Sequence, residues 1–199
     1  MKKIVALALI TITFNLSVMG QKQRKYKEIR LVTTSEVINV SADSVWQIIG
    51  PGFQNVGGWL KGINHSEGLG SAKVKGATCN ARTCEVDFPG FDEITEEILT
   101  YSDEKKEISY TATKGMPGFV VYNRNQWNIK VVGPNQCVAT TDATMHLKRF
   151  MGSLFGRTME KNFKKALKEI MTELKAYAET GEISETKKEQ LAQLEKKNK

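Results

Sequence analysis

The sequence predicts an α+β domain: a curved antiparallel sheet of about seven strands closed by one long C-terminal helix, with two short helices after the first strand. Three observations predict it. Short alternating runs follow one another from about residue 28 to 150, separated by Gly, Pro, Asn and Asp. A segment of helical period then covers about 153–179. The 199 residues, 40% of them hydrophobic and 26% charged, suffice for one ordinary domain plus tails.

The first twenty residues stand apart. Lys2 and Lys3 precede an almost purely apolar run, 4–16, and Ser17, Val18, Met19 and Gly20 offer a small residue before a cut. This is the pattern of a cleavable secretory signal peptide, too short for a good membrane span. The expected divisions are therefore a signal peptide at 1–20, a domain at 21–180 and a charged tail at 181–199, in a periplasmic or secreted protein.

Along the domain, 29–40 alternates and is rich in Val, Ile and Thr, a strand. Ser41 is a good N-cap for a helix over 42–49. Gly50, Pro51 and Gly52 end that helix, and one more turn is expected at 53–56. Strands are then expected at 59–68, 75–86, 93–101, 106–113, 119–132 and 137–150. Between them lie turns at 88–92, 102–105 and 133–136 and a flexible loop at 114–118. On the closing helix, Phe155, Met159, Phe163, Leu167, Ile170, Met171 and Leu174 recur at steps of three and four, which reads as one apolar face toward the sheet.

The formal charge is +7, or +5 once Lys2 and Lys3 are removed. The lysines are scattered among glutamates, the pattern of a solvated surface, and export argues against a nucleic-acid partner. Peripheral contact with an anionic membrane or partner, through the long helix and Lys187, Lys188, Lys196, Lys197 and Lys199 of the tail, is one expectation. Cys79, Cys84 and Cys137 leave at least one thiol outside any intramolecular bridge. In one straight strand Cys79 and Cys84 lie roughly 16 Å apart at about 3.3 Å per residue, so they pair only if 80–83 turns. No zinc spacing, phosphate loop, nucleophile elbow or calcium loop occurs, and no metal or cofactor is expected.

Alternation sorts the long strand so that Val121, Asn123, Asn125, Trp127, Ile129 and Val131 face the concave side. Asn123 and Asn125 then stand either as amides that orient a ligand or as partners of nearby backbone. On the last strand Ala139, Thr141 and Ala143 leave room on that same side, and His146 faces away. No catalytic cluster is evident. The weak candidates are His65 and Glu67, two apart on one strand face.

The stretches 40–49 (VSADSVWQII), Trp59 with Ile63, 76–78 (GAT), 96–103 (EEILTYSD) and 108–110 (ISY) resemble the START-like superfamily, over about 29–178. That superfamily includes the polyketide cyclase/dehydrase group, lipid-transfer domains and the birch-pollen-allergen fold. The resemblance implies a helix-grip fold and a ligand between the sheet and the last helix. Arg82 and Glu97 then sit on neighbouring strands, either as a cross-strand ion pair or with Arg82 turned to an anionic head group. The residues expected to line the cavity are Trp59, Arg82, Glu97, Asn123, Asn125, Trp127, Thr141, Phe155, Met159 and Phe163. The functional expectation is a carrier or sensor of a small hydrophobic or amphipathic molecule, with a cyclase or dehydratase acting in the same cavity as the alternative.

Overall fold

The protein's structure, a computed structural model, describes residues 25–88 and 91–197, so the signal segment expected at 1–20 lies outside the described residues. In chain order the elements are β1 (Tyr26–Thr34), α1 (Ala42–Ile49), a 3-10 segment (Phe53–Gly58), β2 (Ile63–Leu69), β3 (Ala81–Phe88), β4 (Phe91–Ser102), β5 (Glu107–Lys114), β6 (Val120–Gly133), β7 (Gln136–Lys148), α2 (Arg149–Thr180) and α3 (Glu185–Lys197). The seven strands form one antiparallel sheet ordered β1-β7-β6-β5-β4-β3-β2. Consecutive hairpins build β2 through β7, and β1 returns beside β7. With α2 against the sheet, this is the expected helix-grip architecture.

Local chemistry sets the joints. Ser41 Oγ accepts the backbone N–H of Ser44 and starts α1, which buries Ala42, Val45, Trp46 and Ile49. The Gly50 N–H closes that helix on the Trp46 carbonyl. Gly181, at φ 73°, ends α2 in the left-handed conformation that lacks a Cβ penalty. The core lies between sheet and helices: Val45, Phe53, Trp59, Ile98, Ile108, Trp127, Ile129 and Leu174 are all buried there.

Several element boundaries differ from expectation. The first strand stops at Thr34, and the chain then crosses the sheet end, touching it again through Ile38 and Cys137. The third strand begins only at Ala81, because 75–80 is a loop that includes Gly76 at φ 89°. The last strand ends at Lys148, and α2 begins at once, four residues before the expected start. The charged tail forms a helix, α3, over Glu185–Lys197, and it docks on the start of β2. Lys187 is buried there and donates to the Ile63 carbonyl at 2.5 Å, while the Gly62 N–H donates to Gln190 Oε1 at 3.0 Å.

The concave set of β6 holds only in the middle. Val121 and Val131 are 53% and 70% exposed; Val121 falls at the register shift between Val120 and Tyr122, while Val131 keeps the register of Trp127 and Ile129 but lies near the strand's end. The three cysteines are buried and unbridged.

Candidate functional site

Between the sheet and the helices lies a cavity of about 40 Å³, lined by Ile48, Ile49, Phe53, Val56, Trp59, Leu60, Arg82, Tyr110, Trp127 and Ile170. A water needs roughly 10–15 Å³ of such volume, so the space is real but small. Its walls are apolar apart from three groups, and each of these has a definite arrangement.

Arg82 comes from β3 and is almost wholly buried. Its Nε donates to Glu96 Oε2 at 2.7 Å, Nη2 approaches the same oxygen at 2.6 Å, and Nη1 donates to the Phe53 carbonyl at 2.7 Å. The guanidinium carbon lies 4.0 Å from the centroid of the Phe53 ring and 5.1 Å from that of Tyr110. Burial is the largest single influence and works against its charge, but Glu96, Tyr110 and Cys84 together outweigh it and hold the guanidinium's pKa above its usual value. Burial also pushes the neighbouring Cys84 thiol up to about 11, so this cysteine is no nucleophile at neutral pH.

Tyr110 comes from β5. Its hydroxyl oxygen accepts from Asn125 Nδ2 at 2.9 Å and from Trp127 Nε1 at 3.2 Å. Thr141 in turn donates to Asn125 Oδ1, which fixes the orientation of that amide. With two donors on its oxygen, the Tyr110 hydroxyl has its own proton left to give. Burial drives its pKa up to about 12, so it stays a donor at any physiological pH.

Trp59 follows the 3-10 segment and stacks on Tyr177 of α2, with centroids 6.1 Å apart and planes at 10°. Its indole N–H is buried and has no partner among the described residues. A buried orphan donor costs about 1–3 kcal/mol, so it marks a place where an acceptor belongs.

The expected site residues therefore divide. Trp59, Arg82 and Trp127 line the cavity. Asn125 stands one hydrogen bond behind it, holding Tyr110, and Thr141 stands one further back, holding Asn125. Glu97 is not the partner of Arg82: it lies half-exposed, 3.7 Å from Lys73. The β3–β4 hairpin closes at Phe88 opposite Phe91, and without a bulge Glu97 would face Arg82. A one-residue shift between Glu85 and Phe88 puts Glu96 there instead.

Asn123 is a clip between strands rather than a ligand amide. The β5–β6 ladder ends at Tyr110 opposite Asn125. Beyond it, Asn123 Oδ1 accepts the Ala112 N–H at 2.6 Å and Nδ2 donates to the Ala112 carbonyl at 3.1 Å. Phe155 is 45% exposed, and Met159 and Phe163 are half-buried; none of the three reaches the cavity. His65 and Glu67 are exposed on the edge strand β2, away from the lining. His146 lies on the outer side, as expected, between Tyr26 and Tyr122 and 3.1 Å from Glu28. Sequence reasoning missed Phe53, Tyr110 and Glu96. Tyr110 sits within the ISY stretch that carried the resemblance, and its place on β5 opposite Asn125 was the available signal.

The sequence profile of a family described as polyketide cyclase / dehydrase and lipid transport matches residues 30–179. No curated protein matches the chain. Among solved structures, a norcoclaurine synthase point mutant from Thalictrum flavum with a transition-state analogue is similar at TM-score 0.60 and 17% identity, over 78% of this chain and 97% of that one. The same plant's norcoclaurine synthase with dopamine and hydroxybenzaldehyde is similar at TM-score 0.56 and 17% identity, over 87% and 96%. A START superfamily protein from Mycobacterium smegmatis is similar at TM-score 0.51 and 17% identity, over 73% and 98%. At such identities the likeness is one of fold.

Proposed function

Because the chain belongs to the polyketide cyclase / dehydrase and lipid transport family, we propose that it is an exported binding protein for a small amphipathic molecule held between sheet and α2. The apolar body of the ligand packs on Ile48, Val56, Leu60 and Ile170, and an acceptor oxygen meets the Trp59 N–H and the Tyr110 hydroxyl. The single observation that carries this reading is the buried indole N–H without an acceptor in the wall of an otherwise apolar cavity. Arg82 is committed to Glu96 and to the Phe53 carbonyl, so a neutral carbonyl or hydroxyl suits the site better than a free carboxylate. At about 40 Å³ the cavity is in a closed state, since ligand pockets run to about 300–1,000 Å³. Entry of the ligand therefore displaces α2 or the 3-10 segment.

Native mass spectrometry of the protein purified after export, followed by organic extraction, tests this. A stoichiometric small molecule bearing a carbonyl or hydroxyl is expected, with affinity about fivefold weaker in Trp59→Phe, the worth of one neutral hydrogen bond. An empty protein that no fatty alcohol, sterol or aromatic ketone stabilises against heat would overturn it. N-terminal sequencing of the secreted material is expected to begin at Gln21.

A cyclase or dehydratase acting in the same cavity is the second reading, and one observation favours it: the Tyr110 hydroxyl is a buried proton donor at the lining. Turnover of a bound ketone that vanishes in Tyr110→Phe while binding persists would select the enzyme over the carrier.

A further inference from the structure

The first two turns of α2 break the rule that the rest of the helix obeys. Phe150, Leu154 and Phe155 are 77%, 62% and 45% exposed. At 3.6 residues per turn, Phe150, Leu154, Arg157, Lys161 and Lys168 fall within one stripe about 60° wide. That stripe is turned by about 120° from the mean direction of the buried Gly152, Gly156, Leu167, Met171 and Leu174. The helix is held in this attitude at β1, where it crosses so closely that a Cβ on Gly152 or Gly156 would come within 2.6 Å of Lys27. The aromatic and leucine side chains are thus presented outward by a close, fixed packing contact.

Charge says what they are presented to. From residue 149 to 168 the helix carries six cations and a single carboxylate, Glu160. Arg157, Lys161, Lys164 and Lys168 are all exposed. The helix start has no acidic residue in its first turn and no side-chain cap, so its dipole adds to the positive field. Apolar residues at one end of a stripe and cations along the rest suit a helix that dips its first turns into an anionic bilayer and sets its following cations on the headgroups. Two of the tail lysines expected to make such a contact are engaged within the fold. Lys187 is buried, and Lys188 is paired with Glu185 at 2.7 Å and lies 3.9 Å from Glu182.

We propose that the protein docks on anionic lipid surfaces through the outward face of α2, with Phe150 and Leu154 inserted and Arg157, Lys161 and Lys168 on the headgroups. This contact is independent of what fills the cavity. It places the membrane at the end of the same helix that the cavity's Ile170 belongs to, so docking and cavity opening share one element.

A polarity-sensitive fluorophore on Leu154→Cys tests the proposal, since the three native cysteines are buried. With phosphatidylglycerol/phosphatidylcholine vesicles the emission is expected to shift blue, and to return in high salt or with pure phosphatidylcholine. The same fluorophore on Glu195→Cys is expected to stay unshifted. In vesicle co-sedimentation, each of Lys161→Glu and Lys168→Glu should weaken binding by fivefold or more, and Phe150→Ser with Leu154→Ser by tenfold or more. No shift at position 154, or a shift at 195 alone, overturns the proposal whatever the N-terminal segment contributes to partitioning. A dimer in light scattering that Phe150→Ser abolishes also overturns it, because the face would then be an interface between two copies.

Discussion

Changing Glu96 to Gln removes one charge from the protein interior and almost nothing else. The amide oxygen still accepts from Arg82, the volume is unchanged, and the backbone pairing of Arg82 with Glu96 is untouched. What is lost is the counter-charge of a guanidinium whose side chain is 9% exposed, while the carboxylate itself is 20% exposed. Breaking a buried ion pair from one side costs about 3–5 kcal/mol, and the partial exposure of Glu96 places this case at the low end, about 3 kcal/mol. For a chain of this size that loss lowers Tm by about 6–12 °C. Urea unfolding should show the midpoint falling with an unchanged slope. Arg82→Met strands the Phe53 carbonyl and forfeits the stacking on Phe53 and Tyr110, so it should cost about 2–4 kcal/mol. The double variant leaves no unpaired charge and should lie at least about 1.5 kcal/mol above the sum of the two singles. If Glu96→Gln costs under about 1 kcal/mol, or the two changes simply add, the pair is not the organising charge of this cavity.

Other outcomes follow from the same packing. Burial depresses the pKa of Lys187 below its ordinary 10.5. Below the depressed value folded and unfolded states both hold the proton and the burial cost is fully felt. Between the depressed value and 10.5 the unfolded state binds more protons, so docking of α3 strengthens as pH rises. Hydrogen exchange of 185–197 should slow relative to its intrinsic rate from pH 7 to 10, and Lys187→Met should remove that trend; a parallel trend in both proteins would count against it. Gly115→Ala should destabilise by more than about 2 kcal/mol, since φ is 82° and a Cβ would lie 1.9 Å from the Glu93 carbonyl oxygen; thermal melting reads this directly. His65→Ala should leave ligand occupancy and any turnover unchanged, because the ring points away from the lining; a loss of either would return His65 to the site.

The sheet and the helix were legible because their periods differ and each persists over many residues. Period two named the inward residues of β7 from Ala139 to Leu147, and the turn at 102–105 announced itself by polarity. What alternation could not supply was the location of bulges. A shift of one residue moved Arg82's partner from Glu97 to Glu96, and a shift between Val120 and Tyr122 turned Val121 outward. Helical periodicity likewise names an apolar stripe without saying where the sheet beneath it ends, so Phe155 was read as lining although α2 there is only skirting β1. Asn123 was legible as a buried-side amide, but its partner depended on where the β5–β6 ladder stops.

Strand β2 is one of the two edges of the sheet, and it is where the chain's last helix comes to rest. An open edge is a template for strand addition, and proteins commonly blunt such edges with charge or a covering element. Here Lys187 is bonded to the carbonyl of the strand's first residue, and Gln190 bonds Gly62 and Asn64 on either side of it. The C-terminal segment thus covers the beginning of this edge. A chain ended at Gly181 would keep its cavity and its long helix, yet leave that end of the border bare.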